Sequence, residues 1–369
     1  MAGASLEDTL DLWSATLRGI KERLRPLFAV PSVAASAGAF LDGLLGPERR
    51  KTGWMRAEAA GDPGPWRQQA VLGRSHWDAD TLRDLLRDYA VETLASSDAV
   101  LVIDETGFLK QGKASCGVGR QYTGSAGKIT NCQIGVFAAY VSCKGHAFID
   151  RRLYLPKAWT GAPARLAAAH VPDGTAFATK PQLAAAMIDR ALAAGVPFAW
   201  VAADSIYGVG EVELALRRAY KGYVLGVTGQ HQFWSWGAPI EVFGTADEIA
   251  GALPASAWRR LSAGPGPKGP RLHDWAYLEL ATLPAEAVDP ALDGSPSGRA
   301  ACSSGAALLT RAWPSSRLGA RSALRSRPWP PSRAGAGRSR TRSRPPRPSW
   351  VWRTTRPAPG MAGTATSRW

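Results

Sequence analysis

Ala99-Val100-Leu101-Val102-Ile103-Asp104-Glu105-Thr106-Gly107 is the stretch whose reading decides the fold. Five apolar residues in succession suit a strand covered on both faces, and the run is predicted to end at Asp104. Phe198-Ala199-Trp200-Val201-Ala202-Ala203 repeats the pattern and runs out into Asp204. A carboxylate at the C-terminal end of a buried strand stands at a sheet edge, where open α/β sheets bind ligands. For one such Asp alone, a turn or helix-cap role is the more economical reading. Two of them on adjacent strands would reach a single divalent cation. Hard oxygen donors with water in the remaining positions suit Mg2+ or Mn2+, and ions so held activate a water or hydroxyl against a phosphodiester.

Working outward, Cys132–Val141 and Ala147–Leu155 read as two strands around the Lys144-Gly145 turn. Thr179-Lys180-Pro181 opens a helix that runs to Gly195, with Pro in its first turn. A helix from about Val209 to Tyr220 and a strand from Gly222 to Val227 follow. Strand, hairpin, helix, strand, helix, strand is the order of an α/β layered sheet. This core is placed at residues 96–227. Residues 228–293 read as a β-rich insertion or sheet rim: Trp234, Trp236, Ile240 and Val242 suggest short strands, and Trp258–Leu261 can pair with Trp275–Leu280 across Gly264-Pro265-Gly266-Pro267.

Residues 1–95 read as a helical N-terminal region. Leu6, Leu10, Trp13, Leu17, Ile20 and Leu24 place one apolar stripe on a helix. Pro26 and Pro31 break it, Ser32 is the expected N-cap of the next segment, and Asp78 that of a helix carrying Leu82, Leu85, Leu86, Tyr89 and Leu94. Arg49, Arg50 and Lys51 form a cationic run, equally a solvated helix start or a set of DNA phosphate contacts.

After Asp104 comes a glycine-rich segment, expected to be a loop, that carries Lys110, Lys113, Arg120 and Lys128 and no acid beyond Glu105. Glycines let a backbone approach a phosphate chain closely and the cations neutralise it; the alternative is a solvated loop. Asp150 with Arg151 and Arg152 reads as surface ion pairs of little worth.

The chain has 369 residues, a hydrophobic share of 45% and a formal net charge of +15, which fits two or three domains with a core. All of the excess charge lies beyond Asp293. The 76 residues of this tail contain 15 Arg, five Trp and no Lys, Asp or Glu. One reading of residues 294–369 is a basic disordered arm that wraps a polyanion. The other is translation out of frame, since Arg, Pro, Ser, Ala, Gly and Trp are what G- and C-rich codons give one base off. The aromatic content fits the arm poorly.

No uninterrupted apolar run reaches 18 residues, and the N-terminus lacks a basic stretch before an apolar one, which argues against a membrane span and a secretory signal. Cys116, Cys132, Cys143 and Cys302 form no CxxC pair, so a cytoplasmic, reduced setting is expected. A Walker motif is absent, and none of the five His lies in a nucleophile-elbow context, which disfavours nucleotide hydrolysis and Ser/His/Asp catalysis.

Asp104–Tyr140, with Asn131-Cys132-Gln133-Ile134-Gly135-Val136-Phe137, resembles the insertion-sequence transposases of the IS-seven-oh-one type, members of the DDE superfamily of endonucleases. Arg152–Trp159, Phe177-Ala178-Thr179-Lys180-Pro181 and Ala203-Asp204-Ser205-Ile206-Tyr207-Gly208 extend the resemblance, which covers about residues 40–293. It implies a ribonuclease-H-like mixed sheet and makes Asp104 and Asp204 the first and second catalytic carboxylates. It also implies Mg2+ (or Mn2+), terminal-repeat and target DNA as partners, a homodimer, and a bacterial cytoplasm.

The family's third acid is a Glu on a downstream helix, in a pattern like Arg-Trp-x-Ile-Glu-x-x-Phe-Glu-x-x-Lys. No such pattern occurs, and no Glu follows Glu286. Arg338-Ser339-Arg340-Thr341-Arg342-Ser343-Arg344, shifted one base with G/C-favouring codons, can reread as Ala-Ile-Glu-Asp-Ser-Phe-Glu. Pro359–Thr364 can likewise reread through a His-Gly-Trp-His core. The expectation is a transposase by descent with its third ligand lost; the competing one is a non-catalytic DNA-binding regulator of element ends.

Overall fold

Reciprocal capping starts the first helix: the Ser5 hydroxyl accepts from the Asp8 N–H at 3.0 Å, and the Asp8 carboxylate accepts from the Ser5 N–H at 3.1 Å. The computed structural model describes residues 5–208, 210–235, 242–266, 269–280, 305–311 and 319–324. The chain divides into two compact units, residues 1–89 and 90–369.

The first unit is helical: α1 (Leu6–Leu24), α2 (Pro31–Leu45), α3 (Gly53–Ala59), α4 (Trp66–Gly73) and most of α5 (Ala79–Leu94). Asp78 caps α5, accepting from the N–H groups of Asp80 at 2.9 Å and Thr81 at 3.2 Å. The cap expected at Ser32 lies one residue inside. Val30 is the N-cap of α2 and Pro31 takes the first turn, where a residue without an N–H leaves no donor unsatisfied. The α1 stripe forms, but Leu6, Leu10 and Trp13 are exposed and α1 contributes no buried residue. The interior of this unit is instead organised around Arg56, whose guanidinium lies 4.2 Å from the Phe40 ring centroid and donates to the Lys51 carbonyl at 2.6 Å.

The second unit is a mixed α/β sheet with helices. Its elements are β1 (Val100–Leu109), β2 (Gly119–Thr123), β3 (Lys128–Ser142), β4 (Gly145–Tyr154), α6 (Lys157–Thr160), α7 (Pro163–Ala168), α8 (Lys180–Ala193), β5 (Trp200–Ala203), α9 (Gly210–Arg218) and β6 (Gly222–Val227). They continue with β7 (Gln232–Ser235), β8 (Val242–Thr245), α10 (Ala246–Ala252), β9 (Arg259–Gly266), β10 (Gly269–Leu280), β11 (Gly305–Arg311) and β12 (Gly319–Leu324). The large sheet runs β2-β3-β1-β5-β6-β12-β11-β10-β9, with β4 also on β3; β7 and β8 pair separately. β1, β5 and β6 are parallel, whereas β1 and β3 are antiparallel.

Alternation along the strands gives the sheet two faces. Leu101, Ile103, Val136, Ala138, Tyr140, Val201 and Tyr223 pack with Met187 and Ile188 of α8 and Leu216 of α9 in the main core. Val102, Ala139, Val141 and Ala202 form a smaller cluster on the opposite face. The expectation that the first strand stops at Asp104 is corrected. β1 continues to Leu109, because β3 is long enough to pair with it from Val100↔Val141 to Leu109↔Cys132. The expected loop after it is in part strand β2, which lies on β3 in the register Arg120↔Asn131.

Residues 228–293 divide between the small β7–β8 sheet, α10, and the edge of the main sheet. β9 and β10 pair antiparallel with Trp275 opposite Arg259. Trp236 and Ile240 fall outside the described residues. In the tail, the described segments Gly305–Arg311 and Gly319–Leu324 are strands joining β6 to β10. Both are proline-free, so every residue has an N–H for the ladder. Arg338–Arg344, Pro359–Thr364 and Cys302 lie outside the described residues. Asp150 does not make a surface pair: it is buried and takes Nε and Nη2 of Arg190 on α8, both at 2.9 Å, which ties β4 to the helix beneath.

Candidate active site

Parallel pairing ends with Ile103 opposite Ala203, so the next residue on each strand is a carboxylate. Asp104 lies within β1 and Asp204 begins the turn after β5. The register alone thus sets the two acids side by side. Asp204 Oδ1 accepts from the Ile206 N–H at 2.9 Å, and Asp104 Oδ1 from the Glu105 N–H at 2.8 Å. These bonds orient both groups without neutralising them. Burial pushes the Asp104 carboxyl up to about 7; the negative charges of Asp204 and Glu105 add to the rise, while the Glu105 N–H and the Lys180 ammonium oppose it.

A second set of side chains holds this pair in place. Glu105 points to the opposite face of β1, where Lys180 Nζ reaches its Oε1 at 2.7 Å and the Tyr207 hydroxyl donates to its Oε2 at 2.6 Å. Lys180 is the first residue of α8, behind the Thr179–Gln182 capping box. Tyr207 belongs to the turn that starts at Asp204 and is fully buried; burial, then the charge of Glu105, holds its hydroxyl far above the usual phenol range. One carboxylate therefore ties β1, α8 and the turn after β5 together.

That turn also needs two glycines. A Cβ on Gly208 would lie 1.8 Å from the Gly226 carbonyl oxygen, and one on Gly226 would lie 2.8 Å from the Ser205 nitrogen. Close backbone approach seats the Asp204 turn on β6.

The other residues singled out in the sequence are dispersed. Lys113, Arg120 and Lys128 are exposed and Lys110 is half-buried, all around the β1–β2–β3 end of the sheet. The backbone there is fixed: Asn131 Nδ2 donates to the carbonyls of Lys110 at 2.7 Å and Gly112 at 2.9 Å, and Arg165 Nη2 donates to that of Lys113 at 3.0 Å. Arg49 and Arg50 are exposed in the first unit, whereas Lys51 turns to the Gly46 carbonyl and to Glu48. Glu211 and Glu213 are engaged by Gln182 at 3.3 Å and the Tyr223 hydroxyl at 2.6 Å.

Glu105, Lys180 and Tyr207 were not predicted to act as a unit. No single motif carried the signal: the three come from three separate stretches that only the fold joins. Among the described residues, no group of three or more His, Cys, Asp or Glu is arranged to hold a metal. The donor chemistry at hand is two hard carboxylates, one of them raised chiefly by burial. That set fits Mg2+ held through one or two carboxylates, with water and substrate phosphate completing the shell.

No described helix is long and apolar enough to cross a membrane. A protein of Microchaete diplosiphon named probable transposase for insertion sequence element IS701 is 34% identical over 137 residues, which is 37% of this chain and 33% of that protein. The match thus spans about a third of the length of the curated relative. The crystal structure of the NurA nuclease from Sulfolobus solfataricus aligns over 68% of this chain and 76% of that one at 9% identity, and its TM-score of 0.26 is too low to bear on the fold. Residues 24–242, more than half of the chain and including both Asp104 and Asp204, match the family described as DDE superfamily endonuclease, and the chain belongs to that family.

Proposed function

We propose that this chain is an insertion-sequence DNA transposase by descent, with Asp104 and Asp204 as its remaining catalytic carboxylates. The observation that carries this reading is the parallel register of β1 and β5, whose pairing ends at Ile103 opposite Ala203 and so brings the two following acids together. The strand order β4-β3-β1-β5-β6, with the last three parallel, supports a ribonuclease-H-like core.

Asp104 and Asp204 would hold a divalent cation, Mg2+ or Mn2+. Bound there, it supplies a polarised water or hydroxyl and charge to stabilise the leaving oxygen of a phosphodiester. The chain's own part is positional. Glu105, Lys180 and Tyr207 fix the distance between the strands, and the Lys180 ammonium keeps Asp104 more readily ionised. Lys110, Lys113, Arg120, Lys128, Arg49, Arg50 and Lys51 are assigned to DNA backbone contact. The third acid is missing from the residues after Glu286, so strand cleavage falls by orders of magnitude, because two ligands do not fix the ion geometry.

A second reading, a DNA-binding regulator of element ends without catalysis, draws on one observation: the carboxylate next in sequence to Asp104, Glu105, is already committed to Lys180 and Tyr207. The test is to incubate the full chain with Mg2+ and duplexes drawn from the DNA flanking its coding sequence. The transposase reading expects end-specific binding and slow nicking that Asp104→Ala and Asp204→Ala remove. End-specific binding with no nicking above those variants selects the regulator. Absence of DNA binding refutes both, and cleavage at ordinary endonuclease rates refutes the loss of the third ligand.

A further inference from the structure

The sheet face that carries Asp104 also carries a ladder of aromatic rings that the carboxylate pair does not use. Phe108 lies four residues beyond Asp104 on β1 and so shares its face. Register sets Phe137 of β3 opposite Asp104, and Phe148 of β4 opposite Ala139, on the same side. The ring centroids of Phe108 and Phe137 are 6.4 Å apart, and those of Phe137 and Phe148 are 5.4 Å apart. Gly135 leaves room for this: a Cβ there would lie 2.8 Å from the Phe137 ring and 3.5 Å from that of Phe108.

Phe108 and Phe148 are 47% and 58% exposed, and the face continues through Tyr122 and Ile129, which are paired with each other and also exposed. Apart from Asp104, the Asp, Glu, Lys and Arg residues that register places on this face of β1–β4 are Arg120 and Arg151, opposite Asn131 and Phe137. Contiguous exposed apolar surface marks an interaction site. Aromatic rings interleaved with cations are the combination that takes stacked bases and their phosphates.

We propose that Phe108, Phe137 and Phe148 form a stacking platform for unpaired bases of a DNA strand, with Arg120 and Arg151 facing its phosphates. The inference rests on the DNA reading above and specifies the form of the substrate. Bases inside a duplex are already stacked on one another and offer no free ring face, so the platform selects a frayed or single-stranded end beside Asp104.

The experiment compares the full chain on a blunt duplex and on the same duplex with a short unpaired extension containing 2-aminopurine, at one fixed salt concentration. Affinity is read by anisotropy and stacking by quenching of the aminopurine. Wild type is expected to prefer the extended probe by roughly tenfold, the worth of stacking about one base. The Phe108→Ala/Phe148→Ala variant is expected to lose that preference and the quenching while binding the blunt duplex as before, and Phe148→Trp to retain both. Equal affinity of wild type for the two probes overturns the platform and leaves the DNA reading standing. Loss of self-association in the double variant, with its preference for the extended probe intact, overturns the platform and assigns the face to a second copy. No binding to either probe by wild type overturns the DNA reading and the platform with it.

Discussion

Replacing Lys180 by Met tests whether the clamp on Glu105 holds the site together. The Lys180 and Glu105 side chains are only 17% and 15% exposed and meet at 2.7 Å. Met keeps most of the apolar stem of Lys and removes its charge, so Glu105 keeps the Tyr207 hydroxyl and loses its counter-ion. Removing one partner of a buried pair costs about 3–5 kcal/mol, because an uncompensated charge is left behind; an exposed pair would lose about 0.2–1 kcal/mol. Loss of the ammonium also removes a contribution that lowers the Asp104 carboxyl, so the carboxylate pair repels more strongly. Glu105→Gln in the same background removes the stranded charge and should restore roughly 2 kcal/mol, a coupling within the range expected for residues in contact. Urea unfolding of the four proteins of the cycle, followed by near-ultraviolet circular dichroism, measures this. A cost below about 1 kcal/mol for Lys180→Met, or strict additivity of the two changes, would refute the account.

Asp104 should make stability pH-dependent. Its carboxyl lies above the usual 3.8, at about 7, so between those values the folded state holds a proton that the unfolded state has released, and stability falls as pH rises through that window. Asp104→Asn removes the slope and should gain roughly 4 kcal/mol over wild type at pH 8 relative to pH 4; a stability difference that does not change with pH refutes this. Gly208→Ala should destabilise by about 3 kcal/mol, since the new Cβ meets the Gly226 carbonyl on a paired strand that cannot move away; thermal unfolding reads it, and a neutral result contradicts the close approach. Asp78→Ala removes the two N–H acceptors that begin α5 and should cost about 1 kcal/mol. Helix content by far-ultraviolet circular dichroism and urea midpoints check that loss, and Asp78→Ser should recover most of it.

The main elements were legible because each has a local cause. The apolar runs before Asp104 and Asp204 need no context to read as buried strands, the Lys144-Gly145 turn sets the β3–β4 hairpin, and Thr179 with Gln182 writes its own cap. What the local pattern missed depended on a partner. β1 runs past Asp104 because β3 is there to pair with it, and the glycine-rich segment is part strand for the same reason. Asp150 pairs with Arg190, 40 residues away, because its carboxylate lies on the covered side of β4 against α8.

By itself, then, the sequence determined that two buried apolar runs lead into carboxylates, that cations gather on the segment between them, and that the tail is compositionally foreign to the body. These follow from residue type and short-range spacing. Only the tertiary structure decided that the two strands are adjacent and parallel, which converts two unremarkable aspartates into one site. It alone brought Glu105, Lys180 and Tyr207 together from positions up to 102 residues apart, and turned Phe108, Phe137 and Phe148 to the same side. A hydrogen bond or a ring contact between distant segments leaves no period in the chain; its partners are chosen by strand register, and register is settled only when the whole sheet has formed.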